Sequence, residues 1–115
     1  MNEKIKEALL SVMPTVYYGI GKFQGRTDWD CIVYGRRRTG KTVSKGGLAV
    51  RYFVAIIKED EVTEELEEKV LQAMKSIGFK KSDSDTVFDY VEKSGETVVE
   101  VETMEFTKIV KECRA

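Results

Sequence analysis

Between Leu48 and Ile57 the chain reads Leu-Ala-Val-Arg-Tyr-Phe-Val-Ala-Ile-Ile, β-branched and aromatic residues interrupted by a single charge. A run this long and this apolar is a strand buried on both faces or nearly so. The compact apolar run Trp29–Tyr34 is a second strand, and a hairpin is the simplest connection between the two. Residues 35–47 hold four glycines and a dense set of positive charges. That is the composition of a basic loop protruding from the hairpin tip.

The remaining segments supply the partners of this hairpin. Residues 3–13 put Ile5, Leu9 and Val12 on one helical stripe, and Pro14 ends the helix because the residue before a proline is pushed out of helical geometry. Thr15–Ile20 is β-rich and reads as a short strand. A second helix starts at Thr63 as N-cap, runs through Leu66, Val70, Ala73, Met74 and Ile77, and stops at Gly78. Lys80–Asp85 is a polar link, and Thr86–Glu92 and Thr97–Val110 are strands around the turn Lys93–Glu96. In the last strand Val99 and Val101 point one way by alternation, Met104 and Phe106 the other. A bulge near Glu102-Thr103 would reconcile the two halves, and so would a change of packing partner. The expected architecture is one α+β domain over residues 1–115, with a mainly antiparallel sheet of about four to five strands and two helices packed on it.

Composition excludes several classes of function. With 42% hydrophobic and 34% charged residues the chain has neither a disordered nor a membrane composition, and no apolar run approaches the length of a span. The N-terminus lacks the continuous apolar core of a signal peptide, so the expectation is a chain made and used inside a cell. There is no histidine, which removes the imidazole nucleophile systems. The two cysteines, Cys31 and Cys113, form no metal-ligand pattern, and the reading is a buried small residue and a tail thiol. No catalytic residue, cofactor or metal ligand is expected, and the chain is read as a non-enzyme.

One motif points the other way. Gly35-Arg36-Arg37-Arg38-Thr39-Gly40-Lys41-Thr42 spells the phosphate-loop pattern letter for letter and follows a strand. The chemistry of such a loop needs a helix beginning at the lysine, with its positive end facing the anion. Here Lys41 is followed by Thr42-Val43-Ser44-Lys45-Gly46-Gly47 and then a β-rich run. Two adjacent glycines cost a helix about 2 kcal/mol relative to alanine, with no amphipathic period to offset them. The segment is read as extended chain.

The same segment has a second meaning. Arg36, Arg37, Arg38, Lys41, Lys45 and Arg51 place six positive charges within sixteen residues of a chain whose net charge is −1. Such a patch is either a solvated loop or a contact loop that orders against an acidic partner. Specific nucleic-acid binding is not expected, because aromatic residues do not interleave with the patch. Trp29, at a strand entrance beside two aspartates, joins Arg36, Arg37, Arg38, Lys41 and Lys45 as a candidate interface residue. The carboxylates Glu100, Glu102 and Glu105 read as a wet face of the last strand, or in a ring as a lining of its channel.

Trp29-Asp30-Cys31-Ile32-Val33-Tyr34, the glycine and basic loop, Val54-Ala55-Ile56-Ile57, Glu65-Leu66 with Lys69-Val70, and Asp89-Tyr90 followed by Thr97-Val98-Val99-Glu100 resemble the tail terminator, or tail-completion, family of long-tailed phages and prophages. The resemblance runs from Trp29 onward. It implies a small α+β protein that forms a homo-oligomer, a hexameric ring on the tail tube protein. The ring stops tube growth and offers a surface to the head-tail connector protein. It further implies that DNA passes through the ring, with no membrane involved, and that the protein resides in the virion tail and, during assembly, in the host cytoplasm. Another phage connector or adaptor of the same general fold, and a nucleotide-dependent protein built on residues 35–42, are the alternatives.

Overall fold

The computed structural model describes residues 1–41, 47–95 and 97–111. Two helices, α1 (Asn2–Leu10) and α2 (Glu64–Ser76), accompany six strands: β1 (Val16–Tyr18), β2 (Cys31–Lys41), β3 (Gly47–Glu59), β4 (Lys80–Lys81), β5 (Val87–Glu92) and β6 (Val98–Lys111). All six form one sheet in the order β1-β2-β3-β6, with β4 and β5 both paired to the far side of β6. Every pairing is antiparallel except β1 with β2, which is parallel. The fold is α+β with a mostly antiparallel sheet, and the added strand is the two-residue β4 inside the expected polar link.

The apolar run that dominates the sequence is β3, and it lies between β2 and β6. Alternation along it separates two cores. Tyr52, Val54 and Ile56 face the helices and join Ile5, Leu9, Ile32, Tyr34, Val70, Met74, Phe79, Met104 and Phe106. Ala55 and Ile57 face the other way, onto Cys31, Val33 and Val99, where Tyr17, Phe23 and Trp29 from the 17–30 segment pack over the sheet. Both faces of β3 are therefore covered along this stretch, which is why its sequence shows no polar alternation.

The same division explains the last strand. The register of β6 against β3 runs from Gly47↔Lys111 to Glu59↔Val99 without a shift, so no bulge interrupts Glu102-Thr103. The apolar phase changes because the packing partner does: Met104 and Phe106 bury under the helices, Val99 under the aromatic segment. Glu102 shares the face of Met104 and Phe106 and is 1% exposed, which corrects the reading of the acidic set as a wet face.

Local chemistry sets the helix ends. The Thr63 side chain accepts from the Leu66 N–H at 3.2 Å and caps α2, a contact worth about 1 kcal/mol. Gly78, at φ +90°, makes the left-handed turn that releases the chain toward Phe79. The first helix stops short of Pro14 because its last turn tightens: Ser11 Oγ donates back to the Ala8 carbonyl, and Val12 N–H to that of Leu9.

The largest departure from expectation lies at residues 35–47. Gly35–Lys41 is not loop but the second half of β2, and β3 begins at Gly47. Arg36 pairs with Tyr52, Arg38 with Arg51 and Lys41 with Leu48, with one register shift between Arg36 and Arg38. Glycine and arginine content suggested a loop, but pairing to a long apolar strand overrides local propensity. Thr42–Gly46, including Lys45, lie outside the described residues, as does Cys113.

Candidate interaction surface

Beyond Tyr52 and Phe106, both buried under the helices, β2, β3 and β6 run on together to Lys41, Gly47 and Lys111. They make a three-stranded arm. The molecule measures 53 × 25 × 21 Å, and its radius of gyration of 15.3 Å exceeds the about 13 Å of a compact chain this long.

The arm carries the arginines in three environments. Arg36 is exposed on the helix side beside its cross-strand neighbour Tyr52, which raises its pKa. Arg37 sits at the register shift, its guanidinium 5.0 Å from the centre of the Phe53 ring. That ring lies against Gly35, its cross-strand partner, where an added Cβ would come within 2.7 Å of the ring edge. The first glycine of the phosphate-loop pattern thus has a packing reason: it leaves room for an aromatic ring that shields the strand pair. Arg38 and Arg51 are cross-strand neighbours beside an open cleft of about 460 Å³, with Lys80, Lys81 and Ser82 on its other wall. Glu105 reaches Arg51 at 3.7 Å and offsets one of these charges.

The strand geometry bears directly on the nucleotide motif. Gly35–Lys41 is extended and paired to β3, so its backbone does not curl into the ring of N–H groups that cradles a phosphate. The continuation after Lys41 falls on Thr42–Gly46, outside the described residues.

Trp29 is not with the arginines. It lies before the start of β2, at the end remote from the arm, with its ring 4.9 Å from that of Phe23 and the Lys93 ammonium 5.8 Å above it. Lys93 also reaches Glu59 and the Thr27 carbonyl, so Trp29 is part of the packing that ties the 17–30 segment to the sheet. Nearby, Arg26 bonds Tyr17, Asp28 and the Asp30 carbonyl, and Asp30 holds Lys58 at 3.0 Å.

Two features escaped the sequence. The first is the outer strand β5, in which every residue is exposed. Val87, Phe88, Tyr90 and Val91 are 50%, 48%, 63% and 45% exposed, an apolar set on an unpaired edge. An edge and an interior strand of the same composition look alike in sequence, so no signal distinguishes them. The second is Glu102, whose Oε2 is buried without a partner. Burial first, then a hydrogen bond with Glu67 and the charges of Glu67 and Glu100, push its carboxyl up to about 8, with Lys81 opposing. Here a signal exists: Glu102 has the parity of Met104 and Phe106. Glu100, on the same face, accepts the Val62 N–H at 2.7 Å, whereas Glu105 lies on the opposite face.

No protein-family model matches the chain, and no curated protein matches its sequence.

Proposed function

We propose that the chain is a structural assembly protein of a phage tail, a terminator subunit that joins copies of itself into a hexameric ring. The ring caps the tail tube and offers a surface to the head connector, and the protein resides in the virion tail after assembly in the host cytoplasm. The residues that resemble this family from Trp29 onward motivate the reading. The observation that carries it is the polarity of an elongated subunit. The arm bears Arg36, Arg37 and Arg38, while the far end, where β3 leads into α2, bears Asp60, Glu61 and Glu64. A subunit with unlike ends suits heterologous, head-to-tail contact, the only kind that closes into a ring of many copies.

The test is light scattering and negative-stain imaging of the pure protein, followed by its addition to a polymerising tail-tube protein. Closed rings with a central hole, and tubes that stop growing once capped, are the expected results. A monomer at every concentration, with tube growth unchanged, would refute the reading.

A further inference from the structure

The sheet has two open edges, and they are unlike. On one side β1 covers β2 only at Ile32–Tyr34, so among the described residues the outer edge of β2 is open from Arg36 to Lys41. On the other side the outer edge of β5, Val87–Glu92, has no neighbour among the described residues. Each open stretch is six residues long. The β2 edge carries Arg36, Arg37 and Arg38; the β5 edge carries Asp89 and Glu92. Apolar surface accompanies both: Tyr18 and Ile20, 51% and 77% exposed, lie where β1 ends beside β2, and β5 presents its own exposed valines and aromatics.

Natural edges are blunted by charge, a bulge or a short length. The β2 edge has three arginines and a register shift, which guard it against pairing with its own kind. By contrast β5 has two carboxylates but no proline or bulge, and its apolar side chains stay wet in the isolated chain. A strand with this much wet apolar surface calls for a cover.

Strand direction identifies the cover. Because β2, β3, β6 and β5 alternate in direction across the sheet, β2 and β5 run oppositely. A rotated copy placed with its β2 beside β5 therefore meets it antiparallel, the sense of every pairing here but one. Resting on the ring-forming reading above, we infer that the outer edge of β5 in one copy takes the Arg36–Lys41 edge of a second copy as its next strand. The pairing joins basic to acidic and wet apolar surface to wet apolar surface, uses different patches on the two partners, and continues the sheet from subunit to subunit. Since β1 blocks the start of β2, neighbouring copies are staggered along the strands, as in a closed barrel.

Charge exchange tests this without disturbing the core, because Arg36, Arg37, Arg38, Asp89 and Glu92 are all exposed. One variant carries Asp89→Lys and Glu92→Lys, the other Arg36→Glu, Arg37→Glu and Arg38→Glu, which leaves Lys41 as the one cation on that edge. Each alone then sets like charge against like, and the concentration for half-assembly should rise at least about tenfold. Mixed in equal amounts, the two variants meet as opposite charges at every contact and assembly should return, with folding of each checked by its thermal melt. If the wild-type chain assembles and both variants assemble as well as it does, the edge pairing is wrong while the ring stands. If only the β5 variant alters assembly and the mixture does not rescue it, β5 meets a different surface and the inference falls. A wild-type chain that stays monomeric throughout overturns both the inference and the reading beneath it.

Discussion

Replacing Glu102 by glutamine should make the protein more stable at neutral pH, and by more the higher the pH. Glu102 is 1% exposed, its Oε2 has no partner, and its carboxyl is pushed up to about 8 from an ordinary 4.5. The folded state thus binds this proton more tightly than the unfolded chain does. Below pH 4.5 both states hold the proton and the site contributes no slope. Between 4.5 and 8 the unfolded chain has released it while the folded chain retains it, so stability falls as pH rises, by about 1.4 kcal/mol per unit. By pH 7.5 the accumulated loss is about 4 kcal/mol, a large share of the 5–15 kcal/mol typical of a domain. Glutamine keeps the shape and a donor toward Glu67 but cannot ionise, so the slope disappears. With an unfolding entropy of about 2.1 cal/mol/K per residue, 4 kcal/mol corresponds to a rise in Tm of about 17 °C at pH 7.5. Urea unfolding at half-unit steps from pH 5 to 8 measures it. The two proteins should agree within about 1 kcal/mol at pH 5 and diverge steadily above it, with equal m-values. Glu67→Gln should flatten the wild-type slope in part, because it removes the nearest like charge, and the double variant should show less than the sum of the two effects. Parallel lines for wild type and Glu102→Gln would refute the reasoning, since they would mean that Glu102 ionises in the folded state as it does in water.

Three further outcomes follow from other parts of the fold. Gly35→Ala drives a methyl into the edge of the Phe53 ring, at 2.7 Å, and should cost about 1–3 kcal/mol by chemical denaturation; no loss would mean the ring is free to leave the strand pair. Thr63→Ala removes the side-chain acceptor of the Leu66 N–H and should cost about 1 kcal/mol, while Thr63→Ser restores most of it; equal stability of all three would sink the capping assignment. Burial raises the Cys31 thiol to about 11, so in a Cys113→Ser background it should resist a thiol reagent at pH 8 until the chain unfolds, whereas labelling at the rate of a free thiol would place Cys31 at the surface.

Fold class and element order were legible because the two periodicities are strong: the stripe Leu66, Val70, Met74 marks α2, and the unbroken apolar run marks β3. What the sequence hid was pairing. The stretch from Gly35 to Lys41 looks like loop because its own residues are glycines and cations; it is strand because β3 continues opposite it and Phe53 fills the space Gly35 leaves. Of the candidate interface residues, Arg36, Arg37 and Arg38 do lie together on the arm, whereas Trp29 is packed at the other end beneath Lys93. Its neighbouring aspartates suggested exposure, yet Asp30 turns back to hold Lys58 and the Glu59 N–H.

Two places break the rules the rest of the chain obeys, and they break them differently. Glu102 violates the rule that buried charge is paired, and the violation has a local remedy: a retained proton removes the buried charge, with no outside partner required. The exposed apolar residues of β5 lie on an open edge, and nothing among the described residues covers them. Proton uptake can silence the first defect at a cost in stability that changes with pH. The second can be silenced only by covering the strand. A fold consistent at every level except an open, apolar edge on one side and a basic, half-covered edge on the other has its exceptions where a neighbour would sit. On the proposed ring-forming reading, one contact would engage the arginines as well as the wet strand across the sheet from them.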